Sequence, residues 1–155
     1  MAETTAVPDV GTLMPDFSLI NPSGVRTNLH AVRAKATTVV YFLRASTCPA
    51  CLKHARALAE LAEADELGGA EVVLVAPGDV DEARRLADRV ASSAVSAWAS
   101  GTAHGTVGMG SFLAVQHSGT FLVSDDGTIR YRRTATLPTR SFDRDELLGA
   151  LARVR

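Results

Sequence analysis

Apolar residues along this chain fall into short runs divided by turn residues, and their spacing switches between that of strands and that of helices. Residues 17–20 and 25–29 are two such runs on either side of Asn21-Pro22-Ser23-Gly24, which predicts a β-hairpin. Residues 37–43 are mostly β-branched and aromatic, the pattern of a central strand buried on both faces. From about Pro49 to Leu67 the period becomes helical. Cys51, Leu52, Ala55, Leu58, Ala59 and Ala62 share one face, Pro49 suits a first turn, and Gly68-Gly69 is the expected stop. Residues 71–76 read as the next strand, closed by Pro77-Gly78. Residues 81–90 read as a second amphipathic helix with Ala83, Leu86, Ala87 and Val90 on its apolar side. The Gly-, Ser- and Ala-rich stretch 92–118 yields only a strand near 95–98 and a short helical turn near Ala103. Residues 120–124 and 128–132 flank Asp125-Asp126-Gly127, a hairpin signal. A closing helix follows, with Asp143 three residues before Glu146 in capping-box spacing and Leu147, Leu148, Leu151 and Val154 as its apolar face.

The order strand–helix–strand–helix followed by a hairpin and a helix predicts an α/β domain. Its central mixed β-sheet is flanked by helices, with parallel pairing in the first half and an N-terminal β-hairpin extension. A length of 155 residues fits one domain, with residues 1–10 expected as a flexible N-terminal segment and 11–155 as the folded unit. Hydrophobic residues make up 46% of the chain, enough for a core that needs no disulfide staple. Sixteen basic residues nearly cancel seventeen acidic ones for a net charge of -1, and aromatics are sparse, so nothing marks a nucleic-acid surface. The longest apolar runs, 39–43 and 72–76, are far too short to span a bilayer, and the N-terminus has no basic stretch leading into an apolar run. The expectation is a cytoplasmic protein with no membrane partner.

The chain has two cysteines, and they form one C-x-x-C, Cys48-Pro49-Ala50-Cys51. Structural disulfides are rare in a reducing cytoplasm, so thiols this close point to redox or metal chemistry. Here a buried strand runs into the motif and the motif runs into a helix. A thiolate is the working nucleophile, and a helix N-terminus favours negative charge through its unpaired N–H groups and macrodipole. Cys48 falls at the exposed edge and Cys51 one turn in, which suits attack by Cys48 and resolution by Cys51. Zinc is the rival reading, with His54 as a third ligand, but a closed structural site needs a fourth. A non-catalytic buried pair is the remaining one. Arg44 is either a charge that lowers the Cys48 pKa or a solvated strand-end residue. His54 reads as a surface helix residue ahead of a proton shuttle, and Trp98 as a packing residue. His30, His104 and His117 are scattered and support no motif.

Several segments together resemble the redoxin group of the thioredoxin superfamily, meaning the alkyl hydroperoxide reductase/thiol-specific antioxidant-like and TlpA-like proteins. Met14-Pro15-Asp16-Phe17-Ser18-Leu19 resembles the opening P-D-F-x-L of that group, and Asn21 to Val25 its first hairpin. Leu43-Arg44-Ala45-Ser46-Thr47-Cys48-Pro49-Ala50-Cys51 is similar to F-R-x-x-W-C-P-x-C of its peroxiredoxin-like members. Gly119-Thr120-Phe121-Leu122-Val123-Ser124-Asp125-Asp126-Gly127-Thr128-Ile129-Arg130 is similar to its late hairpin. The resemblance implies a thioredoxin fold and a thiol–disulfide oxidoreductase using Cys48 and Cys51. Arg44, Thr47, Pro49, Gly119 and Thr120 are its supporting residues, and it calls for no cofactor. The implied partners are a disulfide-bearing protein or a small thiol or peroxide substrate, a reductant protein or low-molecular-weight thiol, and in some cases a second copy of the chain.

The departures from the group bear on the reaction. Peroxide-reducing members carry P-x-x-x-T-x-x-C; aligned on Cys51, that motif has Cys48 in place of its Thr and Arg44 in place of its Pro. Thr47 replaces the Trp before the first Cys, Gly119 falls where thioredoxins place a proline ahead of the late strand, and Tyr41, Phe42 and Leu43 fill the region of the thioredoxin carboxylate. The departures from the peroxide-reducing motif count against efficient peroxide reduction, and a thiol peroxidase, with Cys51 or Cys48 attacking peroxide, is the alternative enzyme. A non-enzymatic thioredoxin-fold module that binds a metal or a partner protein is the third reading.

Overall fold

The structure is a computed structural model and describes residues 8–101, 118–135 and 137–154. β1 (Ser18–Ile20) and β2 (Arg26–Asn28) pair antiparallel, and the Asn21 side chain closes their turn by accepting the N–H groups of Ser23 and Val25. The alternation ends at Asn28, whose side chain accepts the Ala31 N–H at 2.8 Å and starts α1 (Leu29–Arg33). The sequence pattern had carried a strand through residue 29; the cap overrides it.

β3 (Thr38–Phe42) is buried at every position, as its composition predicts. Val39, Tyr41 and the following Leu43 face one side of the sheet, and Val40 and Phe42 face the other. α2 (Pro49–Glu63) starts at the C-x-x-C and ends short of the expected glycines. Asp65 takes a left-handed φ of 56°, and the Glu66 N–H closes back on the Leu61 carbonyl at 2.9 Å. After Ala62 the next buried apolar residue is Leu67, which enters the core from this turn, while Gly68 and Gly69 lead into β4 (Glu71–Ala76). α3 (Val80–Val90) is capped by Asp79 and leads to β5 (Ser96–Ala99).

β6 (Ser118–Val123) and β7 (Ile129–Ala135) form the late hairpin. β6 begins earlier than the apolar pattern indicated, because Ser118 and Gly119 continue the ladder opposite Ala135 and Thr134. Gly119 is thus a strand residue paired with Phe42, not a residue ahead of the strand. A 3-10 turn (Pro138–Arg140) precedes α4 (Arg144–Val154). Asp143 accepts the Glu146 N–H at 2.9 Å, but the Glu146 carboxylate meets Tyr131 and Arg133 instead of returning to the cap, so only half of the capping box forms. The helical turn expected near Ala103, with His104 and His117, lies outside the described residues.

The sheet order is β2-β1-β5-β4-β3-β6-β7, with β3, β4 and β5 parallel and the other pairings antiparallel. One core layer joins β3, β4 and Leu122 to Cys51, Leu52, Ala55 and Leu58 of α2, Leu86 of α3 and Leu147 and Leu151 of α4. The other joins Val40, Phe42, Val73, Val75 and Phe121 to Met14, Phe17 and Leu29, with Trp98 packed against it. Each fully buried Leu or Phe contributes roughly 1.5–3 kcal/mol. Among the described residues no helix is long and apolar enough to cross a membrane.

Gly78, between β4 and α3, has φ 114°, and a Cβ there would stand 2.3 Å from Glu82 Cγ. Gly69 also has a left-handed φ, 83°, but nothing lies within 4 Å of its would-be Cβ. Gly78→Ala is expected to cost about 2–3 kcal/mol, against about 1 kcal/mol for Gly69→Ala. Denaturant midpoints of the two variants compare them directly, and equal losses would refute the close contact at Gly78.

Candidate active site at the β3–α2 junction

The chain leaves β3 through Leu43 to Thr47 and enters α2 at Cys48. Cys48 is the N-cap in extended backbone conformation (φ -70°, ψ 116°). Its sulfur accepts the Cys51 N–H at 3.4 Å, and its carbonyl accepts the Leu52 N–H at 2.9 Å. A sulfur thus occupies the position where Ser or Asp commonly satisfies an orphan N–H, with the positive end of the helix dipole beneath it. Cys48 is half-buried, and Pro49 and Thr47 beside it are exposed. Both cysteines are free thiols.

Cys51 sits one turn further on, fully buried on the core face of α2. Its sulfur accepts the backbone N–H of Arg44 at 3.3 Å. Burial pushes its thiol up to about 11; hydrogen bonding with Cys48 and the charge of that thiolate add to the rise, while the N–H groups of Arg44 and Ala45 oppose it. The Arg44 side chain is exposed, and its main chain is what hydrogen-bonds a cysteine.

Behind Cys51 lies a small buried polar group that sequence reasoning did not assemble. Tyr41 points from β3 toward α2, and its hydroxyl lies 2.8 Å from Ser141 Oγ. Thr120, opposite Tyr41 in register, donates its hydroxyl to the Ser141 carbonyl at 2.7 Å. Burial holds the Tyr41 phenol protonated well above the usual range, and the neighbouring Cys51 charge and hydrogen bond add to that. The half-buried His54 ring stands edge-on to Tyr41 at 6.2 Å and tilted to Phe142 at 5.4 Å. On the other side of the dithiol, buried Ser46 donates to the Glu82 carboxylate, which also pairs with Arg85 at 2.7 Å, so α3 anchors the loop before Cys48.

The structure therefore brings Cys48, Cys51, the Arg44 backbone, Thr47 and Pro49 together. Thr120 reaches the site through Ser141, and Gly119 lies one residue along in β6, opposite Phe42. Tyr41 carried one legible signal, a polar hydroxyl within the otherwise apolar run 39–43; Ser141, Ser46 and Glu82 carried none. Among the described residues no three His, Cys, Asp or Glu side chains gather at metal-binding range. Trp98 donates to Ser96 Oγ at 2.8 Å and packs on the far core layer, and His30 meets the Met14 carbonyl at 3.1 Å from α1.

The arrangement makes the thiols unequal. Near neutral pH, iodoacetamide is expected to label Cys48 first in the reduced protein, read by peptide mass spectrometry. A buried thiol with a raised pKa also ties stability to pH. The unfolded chain ionises near pH ~8.5 while the folded Cys51 keeps its proton, so stability is full below that value. It is lost as pH rises toward about 11. Denaturant midpoints of the reduced protein should fall across that window, and less so in Cys51→Ala; an equal fall in both would refute the burial of this thiol.

Solved structures share this fold. The chain superposes on a peroxidoxin BcpB from Mycobacterium tuberculosis with a TM-score of 0.72 at 19% identity, covering 94% of this chain and 97% of that one. A peroxiredoxin-like protein from Aquifex aeolicus gives 0.78 at 13% identity, covering 97% and 90%. A secreted Mycobacterium tuberculosis disulfide oxidoreductase homologous to E. coli DsbE gives 0.61 at 21% identity, covering 88% and 95%. At these identities the likeness speaks for the thioredoxin fold. No curated protein sequence matches the chain. The Redoxin family model matches residues 9–151, nearly the whole length, and the chain, with its dithiol at the head of α2, belongs to the Redoxin family of thiol-dependent redox proteins.

Proposed function

We propose that this protein is a thiol–disulfide oxidoreductase. The observation that carries the reading is the division of labour between its sulfurs: Cys48 half-exposed at a helix N-terminus, Cys51 buried one turn behind it and holding its proton. Cys48 as thiolate attacks one sulfur of a substrate disulfide, forms a mixed disulfide and expels the other sulfur as a thiolate, which takes a proton from solvent. Cys51 then loses its proton and attacks the Cys48 sulfur. The Cys48–Cys51 bond forms, the second substrate thiolate leaves, and two electrons have passed from protein to substrate. A reductant protein or a low-molecular-weight thiol restores the dithiol. Sequence spacing and structure both favour bridging within one chain, because residues three apart in a first helical turn bring their sulfurs close.

Peroxide reduction is the competing reading. Aligned on the peroxide-reducing motif, the attacking position falls on Cys51, and that sulfur is fully buried with a raised pKa. Both features oppose attack on peroxide, since the thiolate is the nucleophile.

The test compares insulin-disulfide reduction with stopped-flow oxidation by hydrogen peroxide. Wild type is expected to reduce insulin in the presence of dithiothreitol and to react slowly with peroxide. Cys48→Ser abolishes the insulin reaction, and Cys51→Ser accumulates a mixed disulfide visible by intact mass. Fast peroxide oxidation without insulin reduction would reverse the assignment, and trapping by Cys48→Ser instead would exchange the roles of the cysteines.

A further inference from the structure

A nucleophile in a helix cap depends on the chain that delivers it. The Cys48 sulfur accepts the Cys51 N–H at 3.4 Å, a long contact set by the position of the Cys48 backbone. The delivering chain is a tight turn from Ala45 to Cys48, closed by the Cys48 N–H on the Ala45 carbonyl at 3.2 Å. Ser46 and Thr47 are its two central residues. Thr47 is exposed beside Cys48, whereas Ser46 is buried, with 2% of its surface accessible. Ser46 ties the turn to the body of the protein: its hydroxyl donates to Glu82 Oε1 on α3, 36 residues further along the chain.

Glu82 is itself held for this contact. Its Oε1 also accepts Arg85 Nη1 at 2.7 Å, and the same guanidinium nitrogen lies 3.4 Å from Ser46 Oγ, so the three side chains close a ring. Arg85 orients the carboxylate and offsets its charge two residues from the attacking thiol. The neighbouring charges of this turn of α3, Asp81 and Arg84, pair with each other at 3.8 Å. The stem of Glu82 passes close to the β4–α3 loop. A Cβ at Gly78 would stand 2.3 Å from Glu82 Cγ, so a glycine there leaves the carboxylate its path to Ser46.

We propose that Glu82 is a positioning residue for the attacking thiol: through Ser46 it locks the Ala45–Cys48 turn and so keeps the Cys48 sulfur on the Cys51 N–H at the head of α2. The proposal rests on the exchange reading above and gives a residue of α3 a part in its first step. In that step the Cys48 thiolate attacks one sulfur of the substrate disulfide. The bond from Cys48 to that sulfur forms, the substrate S–S bond breaks, and the other sulfur leaves as a thiolate that takes a proton from solvent. An unlocked turn lets Cys48 leave the cap, and its thiolate then loses the N–H and the helix dipole that favour its charge. A lock of this kind needs a hydrogen-bond acceptor at position 82, not a charge. A purely electrostatic carboxylate acts in the opposite sense, since removing negative charge from the surroundings of a thiolate favours the thiolate.

Ellman's reagent reads the step by stopped-flow absorbance in the full-length reduced protein. Attack by Cys48 releases one thionitrobenzoate and leaves a mixed disulfide; attack by Cys51 releases a second and closes the intramolecular bond. Glu82→Ala and Ser46→Ala are each expected to slow the first release about fivefold, the scale of a lost N-cap contact. The double variant should add little to either, because the two side chains are the ends of one hydrogen bond. Glu82→Gln keeps an acceptor for Ser46 and should bring the rate back to within about twofold of wild type. Gly78→Ala, which crowds Glu82 Cγ, should slow the same release. Gly69→Ala, strained but placed at the opposite end of β4, should not. Should Glu82→Ala fail to fold, Ser46→Ala and Glu82→Gln carry the comparison. A first release that is unchanged or faster in Glu82→Ala and Ser46→Ala overturns the positioning role and leaves the exchange reading intact, as does a Glu82→Gln protein as slow as Glu82→Ala. A wild-type protein that releases only one thionitrobenzoate overturns the exchange reading and this proposal with it.

Discussion

Everything distinctive about this molecule depends on how α2 begins. A helix start leaves N–H groups without partners, and here a cysteine sulfur takes the cap position, accepting the Cys51 N–H. That single contact fixes the spacing of the two thiols. It places Cys48 at the edge, where solvent and the helix dipole meet, and carries Cys51 round to the face that packs on β3. The central sheet position of β3, between β4 and β6, makes the platform rigid.

The platform is held from three directions. From α3, Glu82 reaches buried Ser46 and fixes the loop that delivers Cys48. The Glu82–Arg85 pair is partly exposed, so its contribution to stability is small and its role is geometric. From β6, Thr120 holds the Ser141 carbonyl, and from the segment before α4, Ser141 meets Tyr41 on the Cys51 side of the sheet. Residues distant in sequence thereby set the surroundings of a motif four residues long.

These surroundings explain why the two thiols differ in spite of their proximity. Desolvation dominates at Cys51, and the backbone N–H groups of Arg44 and Ala45 only partly offset it. A buried Cys51 that keeps its proton leaves Cys48 as the thiol that meets solvent. Within these surroundings the Cys51 sulfur accepts the backbone N–H of Arg44.

Much of this was determined by the sequence alone. The buried run in β3, the helical spacing after Pro49, the hairpins around Asn21 and Asp126 and the C-x-x-C between strand and helix are local patterns of side-chain chemistry, and the fold follows from them. Local competition shifted some boundaries: Asn28 capped a helix where alternation suggested strand, and Asp65 closed α2 before its glycines. The tertiary structure decided what no local pattern encodes. That Gly119 lies within β6, that Arg44 acts on a cysteine through its backbone, and that Tyr41, Ser141 and Thr120 meet behind Cys51 are outcomes of strand pairing and packing across a hundred residues of chain. Hydrogen bonds of that reach leave no period in the sequence, because their partners are brought together only when the sheet and helices close on one core.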